Sequence, residues 1–330
     1  MTIILTLQAN ADAGRLRGEL QRLGLWAQPL SNPAGQPAAF ALGQHSSHVP
    51  SAALAALPGV AHVLASAAGH PLLDALRGQT VRVGPTLRIG AGAPPVLAAG
   101  PCSAESADQV LATAVAVKQA GGSLLRGGAY KPRTSPYAFA GAGRDALGWL
   151  RDAADRTGLA LVTECLAESD AARVAEVADL VQIGSRNMQN FALLRAVGAT
   201  GKPALLKRGA AATLSEWRLA AEHLLASGCP GVIFCERGVR GVDSETRNVL
   251  DLGAVALLAG VDALPVWVDP SHAAGRRDLI APLARAGLAV GAHGLLIETH
   301  PDAATAQSDG AQALPFQDLF ALTADLPFGA

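Results

Sequence analysis

The segment LRGGAYKPRTSPY, residues 125–137, brings Arg126, Lys131 and Arg133 together, with two glycines before the lysine and prolines on either side of Arg-Thr-Ser. Other polar residues close short apolar runs along the chain: Cys102, Glu164, Arg186, Lys207, Arg237, His272 and Glu298. Only 16% of the residues are charged, so cations this concentrated need a reason. If Arg126, Lys131, Arg133, Arg186, Lys207 and Arg237 share one face, their mutual repulsion and desolvation are costly unless anions bind there. Arginine offers a planar fork to phosphate or carboxylate, whereas lysine is a compact charge that can also give up a proton. The mixture points to a substrate set with more than one anionic group. The simpler reading pairs some of these cations with Glu164, Glu236 or Asp269.

A second group, Cys102, His272, Glu298 and Asp309, offers a thiolate, an imidazole and two carboxylates. That donor set suits a borderline divalent ion such as manganese, iron, cobalt or zinc. Each alone is a weak signal, a lone cysteine or histidine reading as ordinary packing, and only their shared placement joins them: Cys102, His272 and Glu298 after the first, seventh and eighth apolar runs, and Asp309 shortly beyond. LRGGAY and RGVRG match neither GxGxxG nor the P-loop. SHVP and PSHAAG set serine beside histidine, which makes no triad.

The elements that must position these residues follow from the pattern. From Val96 onward the runs VLAAGP, SLLRGGA, ALVTEC, LVQIGS, PALLKRG, GVIFCERG, PVWVDPS and GLLIETH alternate with helix-compatible stretches. Unbroken apolar runs are what parallel strands buried on both faces require, so the expected fold is α/β, a (β/α)8 TIM barrel. A doubly wound open sheet is the competing arrangement. In a barrel the polar run ends converge on one face, where barrel active sites are built. Upstream, residues 2–7, 13–23, 26–30, 38–42, 51–57 and 60–65 read as β-α-β-β-α-β, a small ferredoxin-like α+β domain. The expected division is 1–66 ferredoxin-like, 67–94 linker and β-hairpin, and 95–330 barrel.

The 330 residues suffice for one barrel and a small domain. A net charge of -1 without a long basic run argues against nucleic acid as a partner. Cys102, Cys165, Cys229 and Cys235 form no CxxC pair, which suits a reducing compartment. The N-terminal residues lack a basic n-region and a long h-region, and no window approaches a membrane span. The expectation is a cytoplasmic protein with no membrane partner.

The motifs GPCSAES (100–106), RGGAYKPRTSPYAFAG (126–141), QIGSRNMQNF (182–191), LLKRG (205–209), CERG (235–238), TRNVLDL (246–252), VDPSHAAGRRDL (268–279) and GLLIETHPDAATAQSDG (294–310) resemble, in order, the 3-deoxy-D-arabino-heptulosonate 7-phosphate (DAHP) synthases of type I. The form resembled carries an N-terminal ferredoxin-like domain. The resemblance implies a transferase that condenses phosphoenolpyruvate with D-erythrose 4-phosphate, the first step of the shikimate pathway to aromatic amino acids. It implies that Arg126, Lys131, Arg186, Lys207 and Arg237 hold phosphoenolpyruvate, with Asp269 among the substrate contacts. Arg133, Thr134 and Ser135 would grip the sugar phosphate. Cys102, His272, Glu298 and Asp309 would hold a divalent metal, manganese first, with iron, cobalt, zinc or cadmium as alternatives. Lys131 would act as proton donor, and Glu164 would stand near the attacking water. The 1–66 domain would regulate, with tyrosine or phenylalanine as feedback inhibitor, in a homotetramer. The chain departs from the family pattern at Ala140, Gly241 and Val242. Sister enzymes that make 3-deoxy-manno-octulosonate 8-phosphate typically carry Asn-Arg-Ser-Ser where this chain has Pro132-Arg133-Thr134-Ser135. A Schiff-base aldolase using Lys131 or Lys207, and a non-catalytic polyanion-binding barrel, are the other readings.

Overall fold

A computed structural model describes residues 3–32, 34–43, 46–65, 69–133 and 135–328. The chain divides into two compact units after Gly69. The expected boundary at residues 66 and 67 lies outside the described residues.

The first unit runs β1 (Ile3–Leu7), helix Ala13–Arg22, β2 (Ala27–Ser31), β3 (Pro37–Leu42), helix Ser51–Ala55 and β4 (Val60–Ala65). Its strands lie in the order β2-β3-β1-β4 with antiparallel neighbours, which is the ferredoxin-like arrangement. Alternation along the strands turns Leu5, Phe40, Leu42 and Val60 onto Leu16, Leu20 and Leu54 of the two helices. Asp12 starts the first helix by accepting from the Arg15 N–H at 2.9 Å.

The second unit begins with residues that the sequence reads as a linker. Pro71–Ala75 is instead a helix, whose first free N–H groups, those of Leu72 and Leu73, donate to the Glu222 carboxylate at 2.9 and 2.8 Å. Five residues are too few to show a helical period, which is why the element was not predicted. The hairpin β5 (Val81–Val83) and β6 (Leu87–Ile89) is present as expected. Val81, Val83 and Ile89 pack with inward barrel residues such as Ala98, Leu205, Ile233 and Trp267, so the hairpin is the barrel's floor rather than a spacer.

The eight expected runs become β7 (Val96–Gly100), β8 (Leu124–Arg126), β9 (Ala160–Cys165), β10 (Leu180–Ile183), β11 (Ala204–Lys207), β12 (Val232–Glu236), β13 (Val266–Val268) and β14 (Gly294–Glu298). They close into a parallel barrel in which β14 pairs with β7, so the open sheet is excluded. Outward residues such as Leu97, Leu125, Val181 and Phe234 meet the surrounding helices. One of these, Leu214–Ala226, starts with a reciprocal capping box between Thr213 and Glu216. No helix among the described residues is long and apolar enough to cross a membrane.

Candidate active site

Inward side chains recur every second residue along a barrel strand. Two residues beyond the inward apolar Leu124, Val162, Leu180, Leu205, Cys235, Trp267 and Leu296 stand Arg126, Glu164, Gln182, Lys207, Arg237, Asp269 and Glu298. The floor therefore gives way to a charged mouth in a single step of the pleat. Gln182 was missed because Arg186 was taken to represent β10; counting two from Leu180 would have found it. Gln182 donates to the Glu164 carboxylate at 3.1 Å.

The four donors expected to hold a metal come together. One ligand atom from each of Cys102, His272, Glu298 and Asp309 lies within 4.8 Å of the others. His272 sits in the short helix Pro270–Ala274, which Asp269 caps by accepting from its backbone N–H at 3.0 Å. The other Asp269 oxygen lies 2.7 Å from His272 Nδ1. A proton held on Nδ1 by this contact leaves Nε2 free to face the cluster, 3.3 Å from Glu298 Oε1. Burial lowers the His272 pKa, which favours the neutral ring that a metal needs. Burial, reinforced by Glu298, pushes the Cys102 thiol up to about 12. Such a thiol ionises at neutral pH only beside a strong cation, and coordination to a divalent ion deprotonates a thiol outright. The Glu298 pKa is driven down by His272, Arg126 and Lys131 against the opposing effect of burial. Asp309 completes the set from a left-handed backbone at φ 50°. Donor chemistry and spacing both fit a divalent ion.

The cations surround this cluster in a mouth cavity of about 440 Å³ whose lining includes Arg126, Lys131, Arg133, Arg186, Lys207 and Arg237. The simpler reading holds for Lys207, whose Nζ lies 2.5 Å from Asp269; Arg126 is paired too, but with Glu298, one of the four donors, at 2.7 Å. Glu236 instead engages Arg208, at 2.9 Å. Lys131 Nζ donates to the Cys102 carbonyl at 3.0 Å and lies 2.8 Å from its sulfur. Burial works against the Lys131 charge, but Cys102 and Glu298 outweigh it and the pKa is raised. Arg186 donates to the Pro132 carbonyl at 3.0 Å, joining the loop after β10 to the KPRTS loop. Arg237 makes no ion pair among the described residues and donates only to Gly238 O at 3.4 Å; burial lowers its pKa. Its charge is the one most clearly left for an incoming anion.

Arg133 is exposed at the rim. Ser135 is exposed, does not line the cavity, and accepts from the Tyr137 N–H at 3.3 Å. Thr134 lies outside the described residues. Arg240, Arg247 and Asn248 also line the mouth and were not singled out from the sequence. Of the three departures, Ala140 contributes a carbonyl that accepts from the Lys131 N–H at 2.9 Å, a contact independent of side-chain type. Val242 is fully exposed, and a Cβ at Gly241 would come 2.7 Å from Val249. The four cysteines are free and buried.

Fold and site define a parallel barrel whose mouth sets cations beside a donor group suited to a divalent ion. The DAHP synthetase I family profile matches residues 75–325. A phospho-2-dehydro-3-deoxyheptonate aldolase of Thermotoga maritima is 50% identical over 231 residues, 70% of this chain and 68% of that protein. A 2-dehydro-3-deoxyphosphooctonate aldolase of Caulobacter vibrioides is 33% identical over 263 residues, 74% of this chain and 90% of that one. The crystal structure of a Thermotoga maritima DAHP synthase superposes with a TM-score of 0.75 at 38% identity, covering 98% of this chain and 96% of that one. A truncated form of the enzyme from the same organism gives 0.70 at 44% identity, covering 76% and 90%. The chain belongs to the DAHP synthetase I family.

Proposed function

We infer that the protein condenses phosphoenolpyruvate with D-erythrose 4-phosphate and water, giving DAHP and inorganic phosphate, the entry reaction of the shikimate pathway. The observation that carries this reading is the 2.8 Å approach of Lys131 Nζ to Cys102 Sγ, which makes the KPRTS cations and the metal donors one site. Family membership and the 50% identity to the Thermotoga protein support the same reaction.

Arg126, Arg186, Lys207 and Arg237 hold the phosphate and carboxylate of phosphoenolpyruvate, and Arg133, at the rim, takes the sugar phosphate. Cys102, His272, Glu298 and Asp309 would hold a divalent ion, manganese first among the candidates, and such an ion would supply Lewis acidity. C3 of phosphoenolpyruvate attacks the aldehyde carbon, and the C2–C3 π electrons form the new C–C bond. Lys131, kept protonated by its neighbours, donates a proton to the oxygen that becomes the new hydroxyl. Water adds at the electron-deficient C2 while Glu164, positioned by Gln182, accepts its proton. The C–O bond to phosphate then breaks as the C2 hydroxyl gives up its proton to the departing phosphate oxygen, leaving the C2 ketone and inorganic phosphate. Fixing two polyanions in register accounts for about 7–11 kcal/mol of the barrier reduction in well-oriented reactions of this kind.

The 1–69 unit has its own core. Its proposed role is feedback control by tyrosine or phenylalanine, in a homotetramer in the cytoplasm. The reaction is tested by offering phosphoenolpyruvate with erythrose 4-phosphate or arabinose 5-phosphate and weighing the product. A seven-carbon phosphate is expected. An eight-carbon product formed faster would place the chain with the sister enzymes.

A further inference from the structure

Each carboxylate of the donor cluster has one oxygen facing the other donors and one turned away. Glu298 presents Oε1 to His272 and Arg126, while its Oε2 accepts from Gln312 Nε2 at 2.6 Å. Asp309 presents Oδ2 to the Cys102 sulfur at 3.1 Å, while its Oδ1 accepts from Arg247 at 3.3 Å. The same Arg247 nitrogen donates to Gln312 Oε1 at 3.2 Å. One continuous chain, Glu298–Gln312–Arg247–Asp309, therefore ties together the two outward oxygens.

We propose that Gln312 and Arg247 are positioning residues that decide which oxygen of each carboxylate meets the metal. A free carboxylate can turn either oxygen inward or offer both, and outer hydrogen bonds are what orient metal ligands. Gln312 is only 2% exposed, and both ends of its amide are used in this chain. Arg247 is anchored too: its backbone N–H donates to the Ala274 carbonyl at 3.0 Å, at the end of the helix that carries His272. Its stem packs where a Cβ on Gly275 would come within 2.6 Å, and Gly275 has φ 67°, so glycine is required there. Arg247 thus links a third ligand's helix to the two carboxylates. Asp309 needs such support, because a non-glycine residue at φ 50° holds an uncommon backbone conformation.

The inference rests on the proposed metal site, and the test separates the two. Apo protein is titrated with Mn²⁺ and with Zn²⁺ against a chromophoric chelator, for the wild type, Gln312→Met, Arg247→Met and the double variant. Thermal melting of the apo proteins is recorded alongside. If the wild type binds neither ion, the metal site itself fails. If it binds, each single variant is expected to lose about 10- to 100-fold in affinity. The double variant should lose little more than the weaker single, because either change breaks the same chain. Unchanged affinity in a folded variant, or losses that multiply in the double, would overturn the proposal. So would an Arg247→Met variant whose only defect is a raised KM for either substrate. Should Gln312→Met fail to fold, the more exposed Arg247→Met carries the same test.

Discussion

The two ends of the barrel are built from the same strands and do different work. At the floor, Val83 and Ile89 of the hairpin pack against Val96, Leu124, Trp267 and Leu296, and the contacts are apolar. Two residues further along, Arg126, Lys207, Asp269 and Glu298 are as deeply buried, none more than 5% exposed, and every one is charged. The floor gains from removing apolar area from water. The mouth bears a desolvation cost that only pairing, a metal or substrate anions offset. Cavity size does not separate these roles: a cavity of about 1480 Å³, larger than the mouth cavity, is lined by residues such as Val83, Lys118, Arg151 and Phe320, and by none of the proposed ligands or the six cations. Charge and donor chemistry mark the site.

The contrast can be broken most forcefully at the mouth. Cys102→Ser should leave melting nearly unchanged while kcat falls about 10³- to 10⁴-fold, since Lewis-acid stabilisation is worth several kcal/mol at about 1.4 kcal/mol per tenfold. A fully active Cys102→Ser variant would remove the thiol from the ligand set. Glu164→Gln should lower kcat by on the order of 10²-fold with little change in KM for phosphoenolpyruvate, as loss of a proton acceptor does. Equal loss in kcat and rise in KM would instead make Glu164 a binding residue. At the floor the signature reverses. Ile89→Ala should cost about 2–5 kcal/mol in denaturant unfolding, through lost burial and a cavity, with kcat and KM intact well below the melting temperature. A change in KM of the folded variant would show that floor and mouth are not independent.

The smallest effect is expected outside both ends. Thr213→Ala removes the cap of the helix Leu214–Ala226 and should cost about 1 kcal/mol. Its partner Glu216 has a lowered pKa, chiefly because its carboxylate accepts from the Thr213 N–H and hydroxyl. A group lowered on folding adds stability above its unfolded pKa, about 4.3 for glutamate, and loses it as pH falls through the folded value. The gap between wild type and Thr213→Ala should therefore narrow below that pH, as the hydroxyl's bond to the carboxylate is lost, but not close, because the hydroxyl also accepts from the Glu216 N–H at 3.2 Å whatever the pH; a gap that stays constant down to strong acid would dissociate Glu216 from the cap.

How much of this could be read beforehand differs by element. The eight strands were legible because burial on both faces leaves unbroken apolar runs such as VIFCE, and three of the four proposed donors, Cys102, His272 and Glu298, could be picked out because each follows or ends such a run, with Asp309 in the loop beyond the last. The helix Pro71–Ala75 was not, being a single short turn that depends on Glu222, far away in sequence. Gln182 was within reach of a count of two from Leu180. Gln312 and Arg247 were not, since what defines them is contact with ligands 14 and 62 residues away. Ser135 reads from its motif as a phosphate ligand, yet its hydroxyl serves its own turn in this structure.

The most direct measurement is phosphate release from phosphoenolpyruvate by metal-depleted protein. The account predicts none with either substrate alone, none with both in excess chelator, and turnover restored when a divalent ion and erythrose 4-phosphate are supplied together. Undiminished release in the presence of the chelator would contradict it.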